Sequence, residues 1–149
     1  MNFTIEDVSA SLAKHLRPWF PEMAFFEGPN QKDSVAPCMF LQQCHSKIIR
    51  KQAGRFLRRI DVELTCLMDD NLPNLQKTYQ QIAETLDQVM EIFPYNAGGE
   101  TALLRTYERE WNIDWNSLHY RFELQVWTQI PEPMLPMQSM EYCEEIRDG

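Results

Sequence analysis

Apolar residues recur along this chain in two rhythms, one of three and four positions and one of two. In the first rhythm, Ile5, Val8, Leu12 and Leu16 share one face of a helix predicted over residues 4–17. Thr4 is placed to cap it, with Asp7 completing a capping-box-like start. Lys14, His15 and Arg17 suit its negative end, and Pro18 disfavours helical geometry at Arg17 and stops it. A longer stripe, Leu72, Leu75, Tyr79, Ile82, Leu86, Val89 and Phe93, predicts a second helix. Asp70 or Asn71 is its expected cap, Pro73 falls in its first turn, and Pro94 with Gly98 and Gly99 closes it. The stripe is too short to favour a coiled coil over a helix laid across a sheet.

The second rhythm marks strands. Ile60, Val62, Leu64 and Cys66 alternate with Arg59, Asp61, Glu63 and Thr65, the pattern of a half-buried strand. Leu118, Tyr120, Phe122, Leu124, Val126 and Ile130 alternate in the same way with His119, Arg121, Glu123, Gln125 and Gln129. Residues 38–49 are extended too, but either Cys38, Phe40, Cys44 and Ile48 or Met39, Leu41 and Ile49 can face inward. This run and the 60–66 strand form a hairpin turning near Gln52 to Gly54, and a second hairpin spans about 101–130, turning near Asp114 to Ser117. A short extended piece at Met23 to Glu27 precedes a turn at Gly28, Pro29 and Asn30.

The expected fold class is therefore α+β: helix, short strand, hairpin, helix, hairpin. Both amphipathic helices are expected on one face of an antiparallel sheet, with the other face open. A single domain is expected over residues 1–130, because 149 residues suit one core. The prolines at 131, 133 and 136 interrupt a central strand, so residues 131–149 are read as a Pro-rich, acidic C-terminal arm.

A net charge of -8 opposes non-specific attachment to nucleic acid or to an anionic membrane. Glu6 and Asp7 and the lack of a continuous apolar stretch near the start predict neither a signal peptide nor a membrane helix, hence a cytoplasm-like setting. Cys38, Cys44, Cys66 and Cys143 show no C-x-x-C pair and read as free thiols. No cofactor or metal is expected, since His15, His45 and His119 lack metal-ligand spacing. Cys44 and His45, adjacent on a strand, point to opposite faces and make no catalytic pair. Asp69, Asp70 and Asn71 lack a calcium-loop frame and read as capping residues, and Gly98-Gly99 reads as a turn. The sequence points to a non-enzymatic protein.

Two features suggest interaction. Lys47, Arg50, Lys51, Arg55, Arg58 and Arg59 gather six cations about the first hairpin, leaving eight basic and twenty-two acidic residues elsewhere. Trp127 falls by parity on the open polar face beside Gln125 and Gln129, where an exposed Trp is a candidate interface anchor.

The run Pro37-Cys38-Met39-Phe40-Leu41, the segment Arg59-Ile60-Asp61-Val62-Glu63-Leu64 leading to Asp69-Asp70-Asn71, and Trp115 followed by Leu118-His119-Tyr120-Arg121-Phe122 carry a resemblance. Over roughly residues 1–130 the chain resembles the small tail-terminator or minor-capsid-like proteins of phages and prophages of Gram-positive bacteria. The resemblance implies a helix-flanked sheet that assembles with its own copies into a ring, commonly six-fold, on the end of a tail tube. There it halts tube growth and offers a surface to the head-tail connector protein. Its implied partners are thus itself, the tail tube protein and the connector, with no specific nucleic-acid binding. The alternatives are another neck, connector or minor capsid component, and a small enzyme or ligand-binding domain, which a deep polar pocket would favour.

Overall fold

The computed structural model describes residues 3–26, 36–114 and 116–129, without the side chains of residues 43 and 44. The C-terminal arm, the turn at residues 28–30, Ile130 and Cys143 lie outside the described residues. Chain order is α1 (Ile5–Leu16), β1 (Ala24–Phe26), β2 (Cys38–Gln52), β3 (Arg55–Leu67), α2 (Leu75–Val89), β4 (Ile92–Ala97), β5 (Glu100–Asp114) and β6 (Ser117–Gln129). The strands form one sheet in the order β1-β2-β3-β6-β5-β4. All neighbours are antiparallel except β1, which runs parallel to β2.

The first helix starts as its sequence predicts, with the Thr4 hydroxyl accepting from the Asp7 N–H at 3.1 Å and donating to the Asp7 carboxylate at 2.8 Å. Its end differs in one detail. Arg17 keeps helical dihedrals (φ -54, ψ -41) despite Pro18, and the chain leaves the helix only after it. His15 stands in the last turn as expected and also bonds through Nε2 to the Val89 carbonyl at 2.7 Å, tying the two helices together.

The second helix is shorter at both ends than the apolar stripe predicts. Leu72 is exposed, Pro73 precedes the helix, and Asn74 occupies the cap position at φ 57 without a side-chain cap bond. Asp69 instead accepts from the Asn71 N–H at 2.9 Å, closing a local turn, so neither Asp70 nor Asn71 caps the helix. At the other end the helix stops at Met90, and residues 92–97 form a strand that pairs with the start of β5. Phe93 is fully buried from this strand, not from the helix, and Gly98-Gly99 turn a β-hairpin at φ 58 and 85. Pro94 is compatible with β4 because that strand ends the sheet and has a free side.

One apolar cluster draws on both helices and on alternate residues of the strands: Val8, Leu12 and Leu16 from α1, Tyr79, Ile82 and Leu86 from α2, Ile60, Val62 and Leu64 from β3, and Leu118, Tyr120, Phe122 and Leu124 from β6. The two hairpins join at its centre through β3 and β6, paired from Arg55–Gln129 to Cys66–Leu118. Polar bonds fix the helices where packing leaves them free to slide. The Tyr120 hydroxyl donates to Asp87 at 2.7 Å, as does the Trp111 indole at 3.2 Å. Tyr95 accepts from the Thr4 N–H at 3.1 Å.

The parity of β2 changes along its length. Met39 and Leu41 face the core opposite Cys66 and Leu64. Register shifts between Gln43 and His45 and between Ile48 and Arg50 then each insert one residue, so alternation read straight through the strand fails.

Candidate assembly surface

The face of the sheet away from the core cluster is polar, and its charges are ordered by register. On the central strands, Arg59, Asp61, Glu63 and Thr65 of β3 stand opposite Gln125, Glu123, Arg121 and His119 of β6. Glu63 accepts from Arg121 Nε at 2.9 Å, and its other oxygen lies 3.0 Å from His119 Nδ1 and accepts from the Thr65 hydroxyl at 3.0 Å. His119 Nε2 lies 2.9 Å from Asp114 Oδ2. Burial raises the pKa of Glu63, but these hydrogen bonds outweigh it and leave the carboxyl below its ordinary value.

Beside this network the same face is hollowed into a trough of about 770 Å³ between β2, β3, β6 and the middle of β5. Its β5 wall is a bulge. Tyr107 pairs with Glu123 and Glu110 with Arg121, so one extra residue is inserted, and Glu108 takes a left-handed conformation at φ 50. Glu108 and Glu110 are exposed on this wall and carry no ion pair among the described residues. Sequence reasoning missed both. The signal available was the polar run Glu108-Arg109-Glu110, which breaks alternation inside an otherwise regular strand.

The six cations of the first hairpin do not act as one free cluster. Arg59 is committed within the fold, with Nε 3.0 Å from the buried Glu123 carboxylate. Arg58 donates to the Ser46 hydroxyl at 3.2 Å and lies 5.9 Å from the centre of the Phe3 ring, on the helix side of the sheet. Arg55 stacks on Trp127 at 4.4 Å. Lys47, Arg50 and Lys51 remain exposed and make no ion pair among the described residues. Ile48 and Ile49 stand exposed among these three, so the projecting hairpin mixes cations with bare apolar side chains.

Trp127 lies on the polar face as parity predicts, opposite Leu57 and 36% exposed. It stands on an open strand edge. The pairing of β5 with β6 ends at Thr106–Leu124, where β5 crosses to β4, leaving residues 125–129 with a neighbour only on the β3 side among the described residues. On the other side of the sheet, β2 pairs with β1 from Cys38 to Phe40, and among the described residues no strand pairs with it beyond Phe40 on that side. Its two bulges and its cations protect it against indiscriminate strand pairing.

Among the described residues no group of three or more His, Cys, Asp or Glu side chains is arranged to hold a metal ion, and no helix is long and apolar enough to cross a membrane. Cys38 and Cys66 are buried, and burial pushes the Cys66 thiol up to about 12. The proposed separation of Cys44 from His45 falls on a side chain outside the described ones.

A family model described as phage tail terminator protein matches residues 7–135. No curated protein matches the chain. One solved structure, known only by a sequence label, is 14% identical over 89% of this chain and 99% of its own, with a TM-score of 0.39.

Proposed function

We propose, from the premise that this chain belongs to the phage tail terminator family, that it is a structural, non-enzymatic subunit closing into a six-fold ring on the end of a tail tube. The ring stops tube growth and presents its far side to the head-tail connector. The observation that carries the reading is the long first hairpin. Lys47, Ile48, Ile49, Arg50 and Lys51 stand exposed along its β2 strand. An otherwise acidic chain repels its own copies unless such a complementary surface exists. A ring supplies the partner through head-to-tail contacts, one surface meeting a different surface of the next copy.

Size is consistent with a channel. A domain of this length has a radius of gyration of about 15 Å, and six such bodies in contact enclose a hole roughly as wide as one of them. An acidic wall lets DNA pass without binding it.

The test is assembly on tubes. Purified protein added to growing tail tubes is expected to halt elongation and to appear as a ring at one tube end by negative-stain imaging. Protein that neither binds tubes nor blocks their growth sinks the terminator reading. Protein that binds the connector while tubes grow on unaffected identifies it as a connector component instead.

A further inference from the structure

We infer that the trough on the open sheet face is the receptor for the first hairpin of a neighbouring copy, with Lys47, Arg50 and Lys51 of one subunit set against Asp61, Glu108 and Glu110 of the next. This deepens the ring reading and rests on it. On this sheet face the charges of the described residues do not balance. Five carboxylates line the trough against two guanidinium groups. Arg59 is matched to Glu123 and Arg121 to Glu63. Glu108 and Glu110 are left without an ion pair among the described residues, and Asp61 has only the exposed His45, at 3.6 Å.

The hairpin carries the converse surplus. With Arg59 paired to Glu123, Arg58 bonded to Ser46 and set near Phe3, and Arg55 stacked on Trp127, the hairpin cations with no ion pair or ring contact among the described residues are Lys47, Arg50 and Lys51. A trough of about 770 Å³ has the size of pockets that enclose whole ligands and has room for several long side chains. The occupant is a second copy and not the chain's own arm, because residues 131–149 carry Glu132, Glu141, Glu144, Glu145 and Asp148 against Arg147 alone and would be repelled by the same acids. The contact is of the head-to-tail kind that generates a ring when its rotation closes.

Charge reversal with complementation tests this. One variant carries Lys47→Glu, Arg50→Glu and Lys51→Glu; the other carries Asp61→Lys, Glu108→Lys and Glu110→Lys. All six sites are exposed or half-buried, and circular dichroism and thermal melts establish that both variants fold. Self-association is read by sedimentation at high protein concentration and by retention on tail tubes, where each variant alone is expected to fall at least about tenfold below wild type. Mixed in equal amounts, each variant's hairpin meets an oppositely charged trough on the other, and association is expected to return. A mixture no better than its components overturns the inference while wild-type rings on tubes leave the terminator reading standing. Loss of tube binding by the trough variant but not by the hairpin variant also overturns it, since the trough then receives the tube protein. A wild-type protein that never binds tubes and stays monomeric overturns both.

Discussion

The Arg59 guanidinium and the Glu123 carboxylate meet diagonally across the β3–β6 junction, Nε to Oε1 at 3.0 Å, with the Glu123 side chain only 7% exposed. Glu123 also accepts from the Gln125 amide at 2.7 Å, so both of its oxygens are occupied. A buried carboxylate stripped of its cation keeps the cost of its lost hydration. Arg59→Met is therefore expected to destabilise the fold by about 1–3 kcal/mol, less than a fully enclosed pair because the Arg59 side chain is 44% exposed. Adding Glu123→Leu is expected to restore part of the loss in urea unfolding. Arg59→Met with wild-type stability assigns Arg59 to the free basic surface after all.

Tyr79 is a buried knot between three segments. Its hydroxyl accepts from the Met68 N–H at 2.9 Å and donates to the Asn116 carbonyl at 3.0 Å, joining the end of β3, α2 and the β5–β6 turn. Tyr79→Phe keeps the ring but orphans both backbone groups, at an expected cost of about 1–3 kcal/mol. For a chain of this size each kcal/mol lowers Tm by about 2–4 °C. An unchanged Tm in a calorimetric scan counts against the knot.

The β2–β3 turn is built from two left-handed residues, Ala53 at φ 51 and Gly54 at φ 80. Hairpins of this kind prefer Asn-Gly, because Asn tolerates the conformation that a Cβ-bearing Ala resists. Ala53→Asn is expected to raise stability by up to about 1 kcal/mol. Gly54→Ala is expected to lower it although nothing lies within 4 Å of the added Cβ, since the cost is in the backbone and not in space. Thermal melts of the two variants moving in the same direction refute the turn assignment.

The sequence made these elements legible to different depths, for physical reasons. In β3 and β6 one face packs on the core and the other meets water, so strict alternation survives and both parities, including Trp127's outward side, are read correctly. In β2 two register shifts reset the alternation, and no count of apolar residues recovers a bulge. The second helix reads too long because Phe93 stands four residues after Val89 and is buried in the same core. The chain has turned at Met90, and the stripe continues in a strand. Charge was visible as a cluster, whereas its pairing was not: Arg59 and Glu123 lie on strands far apart in sequence, and only register brings them together. The acidic trough was hidden for the same reason, since its residues come from β3, β5 and β6.

Glu63 gives the fold a pH dependence with a defined sign. Burial raises its pKa, and hydrogen bonds from Arg121, His119 and Thr65 more than reverse this, so the folded carboxyl titrates below its ordinary value. The unfolded chain titrates near the reference of about 4.3. Between those two points the unfolded state holds a proton that the folded state rejects, and stability rises with pH. The contribution is complete at neutral pH, persists down to the ordinary carboxylate range, and is lost as pH falls through the depressed folded value. Glu63→Gln removes it, so the stability gap between wild type and this variant is expected to close on acidification from about pH 5 to pH 3. His119 and Asp114 also face this site, so the comparison is repeated in a His119→Gln background to separate imidazole from carboxylate. A gap for Glu63→Gln that stays constant across the range, in urea midpoints measured at each pH, eliminates Glu63 as a source of acid sensitivity.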